Sequence, residues 1–143
     1  MENHEWSTPE LQSKAEFYCA HAEHCIADVK EKMRQWNATS EQTEQVLSRL
    51  LDGGFIDEQR YCQAFVHDKL LYQSWGRVKI RAALLAKHIP DEIIDKGMAD
   101  IDEIDYSNIL KKVIQKKKGT PEQVLRYCLQ RGFTYSEIQS ACK

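Results

Sequence analysis

Between Leu50 and Ile94 the chain reads LLDGGFIDEQRYCQAFVHDKLLYQSWGRVKIRAALLAKHIPDEII: a helix end, a full helix, an aromatic-glycine break, a basic helix and a third helix opening at a proline. The same spacing returns, more weakly, on both sides. The 143 residues hold only 6 glycines and 3 prolines, most at apparent joints: Pro9, Gly53 with Gly54, Gly76, Pro90, Gly119 with Pro121, and Gly132. No segment sustains the apolar-polar alternation of a half-buried strand. The expected fold is all-α.

Charge and apolar content narrow the class further. With 29% charged and 42% hydrophobic residues the chain has the composition of a globular protein and not of a disordered one. No apolar run approaches the roughly 20 residues of a membrane span, and the opening MENHEWSTPE is acidic and polar where a signal peptide is basic then apolar. The expectation is a cytoplasmic protein without membrane attachment. Five cysteines, Cys19, Cys25, Cys62, Cys128 and Cys142, read as reduced core thiols. The net charge of −2 conceals alternating blocks. Lys and Arg against Asp and Glu number 5 to 11 over 1–57, 6 to 2 over 58–90, 1 to 7 over 91–105, and 8 to 2 over 106–143. Two basic blocks separated by an acidic one can meet a polyanion or an acidic protein surface, or can simply be solvated helix faces.

The helix after Gly76 is expected to do two things. Val78, Ala82, Leu85 and Ile89 share one face by the helical period and are expected to be buried, while Arg77, Arg81 and His88 fall on another face and present charge. Aligning Met33, Leu85 and Leu129 brings three segments into register, each a helix ending, a short break and a polar opening of the next helix. In the breaks Trp36-Asn37, His88-Ile89 and Gly132-Phe133 correspond. Ser40 to Thr43 and Thr134 to Glu137 carry cap chemistry, the latter as a Thr-x-x-Glu capping box. The units so defined are three tandem three-helix repeats over 9–57, 58–101 and 102–143. Units this small must lean on one another to bury their apolar faces.

Three stretches carry a family resemblance. Leu50 to Tyr61 followed by Ala64-Phe65-Val66, Trp75-Gly76-Arg77-Val78-Lys79-Ile80-Arg81-Ala82-Ala83-Leu84, and Leu129-Gln130-Arg131-Gly132-Phe133-Thr134-Tyr135-Ser136-Glu137-Ile138 resemble, in that order, the RecX family of RecA regulators. The first unit departs most from the family pattern, at Cys19 to Cys25 and Trp36-Asn37. The resemblance implies an elongated, curved array of three three-helix repeats. It also implies a non-enzymatic protein that binds the RecA filament and DNA within it, limiting recombinase and ATPase activity in DNA repair, recombination and the SOS response. A monomer is expected, with no cofactor.

Candidate partner contacts are Trp75, Arg77, Lys79, Arg81 and Lys87 in the middle unit, with Arg126 and Arg131 following from repeat register. The structural alternatives are a Trp75 ring packed between two helices and solvated arginines and lysines. Arg60 and Tyr61 read as packing residues, and the lysines at 111, 112 and 116–118 as a cationic helix end. Cys19, His21, His24 and Cys25 offer zinc-type ligands within about a turn, but no second CxxC or HxxxH pair accompanies them, so part-buried thiols beside exposed imidazoles are expected and no metal. No GxSxG, P-loop, HExxH or kinase signature is present. Besides the filament regulator, one reading of another class stands: a DNA-binding module built from helix-turn-helix-like units with basic second helices.

Overall fold

The chain is described over residues 5–143 by a computed structural model. Nine helices occur among the described residues: α1 (Thr8–His21), α2 (Ile26–Gln35), α3 (Ser40–Asp52), α4 (Glu58–Leu71), α5 (Arg77–Ala86), α6 (Asp91–Ala99), α7 (Glu103–Lys116), α8 (Pro121–Gln130) and α9 (Tyr135–Ala141). No strand occurs among those residues. The boundaries expected at 57/58 and 101/102 fall just ahead of α4 and α7. Spatial contacts gather the chain into two compact units, one ending at Tyr61 and the other beginning at Cys62, so the division lies inside α4.

In the first unit α1, α2 and α3 pack pairwise. Leu11, Ala15 and Cys19 recur at i, i+4 and i+8 on α1, and their stripe meets Val29 and Met33 of α2 and Val46, Leu47 and Leu50 of α3. Ile56 closes this core. The start of α4 is tied to the same unit: the Glu58 carboxylate accepts a hydrogen bond from the Ile26 N–H at the opening of α2, at 3.2 Å. Burial raises the Glu58 pKa above its ordinary value, against the opposing effect of that bond. Arg60 donates to Glu23 and to the Gly54 carbonyl, and Tyr61 is buried, as their packing assignment anticipates.

In the second unit Cys62, Val66 and Leu70 form the buried stripe of α4, and α6 approaches them closely enough that a Cβ on Gly97 would lie 2.7 Å from the Cys62 sulfur. Helices α7, α8 and α9 pack pairwise around Tyr106, Leu110, Val113, Cys128, Phe133 and Ile138. Four of the five cysteines are buried as expected, but Cys142, at the end of α9, is exposed. Its position beyond the last buried turn removes it from the core.

Two further readings are corrected here. On α5 the buried residues are Ile80 and Leu84, followed by Ile89, whereas Val78 is 57% and Leu85 46% exposed and Ala82 is also exposed. Positions 78 and 80 point about 200° apart around a helix, so α5 offers two apolar faces and the core selects the opposite one. The repeat register also slips by one in the first segment. Helices α2, α5 and α8 all end in a left-handed residue, Asn37 (φ 59), His88 (φ 61) and Gly132 (φ 100). The next residue then bonds back five positions: Ala38 N–H to the Met33 carbonyl, Ile89 to Leu84, Phe133 to Cys128. This is the Schellman ending, and it equates Met33 with Leu84 and Cys128, all fully buried, and not with Leu85 and Leu129. The Thr134–Glu137 capping box forms, while the cap of α3 is Thr39 with Gln42, one residue ahead of Ser40.

The shared turn gives a stability prediction. His88 is exposed and holds a backbone conformation that costs a side chain about 1 kcal/mol relative to glycine, so His88→Gly is expected to stabilise the protein by about 0.5–1 kcal/mol. A urea midpoint unchanged or lowered by that substitution would contradict the assignment of the turn.

Candidate regulatory surface

The two glycine-bearing motifs of the second unit meet. The start of α5 leaves its first backbone N–H groups without partners in its own helix, and residues of 102–143 take three of them. Gly76 N–H donates to the Arg131 carbonyl at 2.7 Å, Val78 N–H to the Gly132 carbonyl at 3.1 Å, and Arg77 N–H to the Tyr106 hydroxyl at 2.9 Å. Contact is tight enough that glycine is required on both sides. A Cβ on Gly76 would stand 2.3 Å from the Gly132 carbonyl, and one on Gly132 2.5 Å from the Lys79 Cβ. The free end of a helix that could otherwise receive a phosphate is thus filled by protein.

The arginines of α5 belong to the same joint. The Arg77 guanidinium lies 3.9 Å over the Tyr106 ring and pairs with Glu103 of α7 and Glu137 of α9. Glu137 accepts from Tyr106 as well, at 3.3 Å, and burial pushes the Tyr106 pKa up to about 12, so the phenol stays protonated as both donor and acceptor. Arg81 pairs with Asp95 at 2.7 Å and lies 3.8 Å from Asp91. The acidic block at 91–105 therefore pairs with both arginines of the basic helix beside it. Arg77 and Arg81, expected to present charge outward, are both held in intramolecular ion pairs.

The other expected contacts divide. Trp75 meets Phe65 edge to face at 6.4 Å, with Lys69 and Lys79 ammonium groups 4.7 and 4.3 Å from its ring centre. Arg131 donates to the Ser74 carbonyl at 3.3 Å and lies 5.7 Å from the Tyr127 ring. Both are part of the framework around the joint. Arg126 and Lys87 are exposed. What the sequence reading missed is the outer face of α5, where Val78, Ala82 and Leu85 are left uncovered between Lys79 and Lys87. The signal was present as a second i, i+4, i+7 stripe, which was assigned to the core.

The zinc-type residues separate as well. Cys19 faces the core, Cys25 is buried at the start of α2, His24 stacks on Tyr18 at 3.8 Å and bonds Asp28, and His21 donates to the Phe17 carbonyl. Among the described residues no group of three or more His, Cys, Asp or Glu side chains is placed to hold a metal ion. No helix among them is long and apolar enough to cross a membrane.

Comparison with known proteins agrees with the motifs. Residues 57–98 match the family description "RecX, second three-helix domain". The chain is 31% identical over 105 residues to the regulatory protein RecX of Serratia proteamaculans, covering 68% of this chain and 61% of that protein. To the Pectobacterium atrosepticum protein of the same name it is 28% identical over 144 residues, covering 95% and 86%. It spans 61% of the Streptococcus sanguinis RecX, at 25% identity, so it covers about three fifths of the length of several curated relatives. A crystal structure of RecX from Lactobacillus salivarius superposes with a TM-score of 0.82 at 16% identity, covering 94% of each chain. A crystal structure of a regulatory protein RecX gives 0.79 at 20% identity, covering 99% of this chain and 82% of that one. Those two likenesses establish the fold alone; the motif order, the match over 57–98 and the sequence relatives lead to one assignment: the chain belongs to the RecX family of regulatory proteins.

Proposed function

We propose that the protein regulates the RecA recombinase by binding its filament on DNA, restraining ATP hydrolysis and strand exchange in DNA repair and recombination, in the cytoplasm and without catalysis of its own. The observation that carries this reading is the outer face of α5. A helix anchored at its start by the third helical segment leaves Val78, Ala82 and Leu85 uncovered, edged by Lys79 and Lys87. Apolar centres with a charged rim are the usual make-up of protein-binding surfaces. Lys79, Lys87 and Arg126 remain as contacts in this proposal, while Trp75, Arg77, Arg81 and Arg131 act by holding α5 in place. The three-repeat division at 9–57, 58–101 and 102–143 is part of the same proposal, as is action by a monomer.

The helix-turn-helix alternative loses its support at this helix, because the N-terminal end that would enter a groove is occupied by the Arg131 and Gly132 carbonyls and its arginines are paired. The test is RecA ATPase on single-stranded DNA, titrated with the protein. Wild type is expected to inhibit, and Val78→Glu with Leu85→Glu to need at least about tenfold more protein for half-inhibition while melting like wild type. No inhibition by the wild-type protein would sink the reading.

A further inference from the structure

The first unit carries a surface cavity of about 370 Å³ that nothing above uses, and its lining is chemically selective. Over 1–57 acidic residues outnumber basic ones 11 to 5, yet among the described residues no carboxylate lines this cavity. Phe17, Tyr18 and His21 of α1 and Trp36 just after α2 supply its walls with His24, and Lys14 and Lys32 supply its charge. The helical period explains the gathering: Lys14, Phe17, Tyr18 and His21 recur at i, i+3, i+4 and i+7, and Lys32 and Trp36 at i and i+4. Phe17 is 70% exposed, a ring left open to solvent. Tyr18 is stacked flat on His24 at 3.8 Å, and His21 leans on Phe17 at 4.3 Å, so the walls are braced by one another. Lys14 holds its ammonium 4.0 Å from the Trp6 ring centre and 4.8 Å from that of Trp36, and Lys32 lies 5.3 Å from Tyr18. Asp28 is engaged by the His24 ring and accepts from the Cys25 N–H at the start of α2.

An apolar partner has no use for two ammonium groups, and a bare phosphate has none for five rings. A nucleotide unit uses both, with its base on an aromatic face and its phosphate on lysine. We infer that this cavity binds single-stranded DNA through an unstacked base, at a site separate from the outer face of α5. Duplex is disfavoured because its bases are stacked and closed to such rings. The choice of a DNA strand over a free nucleotide rests on the proposed action at a recombinase filament; the cavity chemistry stands without it.

Tryptophan fluorescence of the full chain, titrated with a ten-residue thymidine strand, tests the inference. Saturable quenching is expected, with an abasic strand of equal length and thymidine monophosphate each binding at least about tenfold more weakly. Phe17→Ala, on an exposed position, is expected to weaken binding by about tenfold or more without lowering the melting temperature. The slope of log K against log salt should be about −1.4 for two phosphates and should fall by about half in Lys32→Gln. Equal affinity for the abasic strand, equal affinity for the monophosphate, or unchanged binding by both variants would overturn it. RecA ATPase run in parallel separates the two ideas. Inhibition that persists with no strand binding removes this site alone, and strand binding with no inhibition removes the regulatory reading.

Discussion

Gly76→Ala is expected to destabilise the protein by about 3 kcal/mol or more and to lower its melting temperature by about 10 °C. The backbone at Gly76 has φ −82, which any residue adopts, so the demand is for space alone. The added methyl would meet the Gly132 carbonyl carbon and oxygen at 2.3 Å and the Phe133 nitrogen at 2.6 Å, all backbone atoms that no rotamer change can move. Relief requires α5 to back away from the turn between α8 and α9, which breaks the bonds from Gly76 and Val78 to the Arg131 and Gly132 carbonyls. Gly54→Ala supplies the contrast. Gly54 has φ 75 but nothing within 4 Å of a Cβ, so it should lose only the conformational cost of about 1 kcal/mol. Thermal denaturation followed by circular dichroism measures both. Equal losses in the two variants would mean that the joint is not as close as described.

The second large effect is Arg77→Glu. The substitution removes a guanidinium from the face of Tyr106 and places a third carboxylate beside Glu103 and Glu137. Arg77 and Glu137 are only 26% and 27% exposed, so solvent screens this repulsion less than it would on an open surface. A loss of about 3 kcal/mol is expected, between the small value of an exposed pair and the larger value of a buried one. Arg81→Glu should cost less, about 1 kcal/mol, because Asp91 and Asp95 are 77% and 65% exposed. Charge reversal of the two arginines together would therefore reduce filament inhibition by unfolding, and such a loss would say nothing about direct contact. Urea titration of each single variant checks the order, and an Arg77→Glu protein as stable as wild type would contradict it.

Much of the helical outline was legible because its signals are local. Glycine and proline mark most of the joints, and the Thr134–Glu137 box depends on residues three apart. The cap of α3 was misplaced by one residue because Thr39, Ser40 and Thr43 are all competent, and only the backbone chooses Thr39. The face of α5 was not legible for a similar reason. In Arg77–Ala86 apolar residues lie on both sides, so periodicity fits Val78, Ala82 and Leu85 as well as Ile80 and Leu84. The ion pairs of the arginines were not legible because the partners are distant in sequence: Glu103 and Glu137 lie 26 and 60 positions from Arg77. The charge blocks are legible in the sequence, but the choice between a partner surface and solvated faces is not, and neither alternative anticipates that Arg77 and Arg81 pair within the chain. In the first unit the rings and lysines are visible in the sequence as types, but their gathering around one cavity depends on the packing of α1 against α2.

One comparison tests the account most directly: half-inhibition of RecA ATPase and the urea midpoint, measured together for Val78→Glu/Leu85→Glu and for Arg77→Ala. If the outer face of α5 meets the filament and Arg77 only holds that helix, the first variant keeps its midpoint and loses inhibition, while the second loses stability and, where still folded, inhibits like wild type. Full inhibition by the Val78→Glu/Leu85→Glu protein, or failed inhibition by folded Arg77→Ala protein, would contradict it.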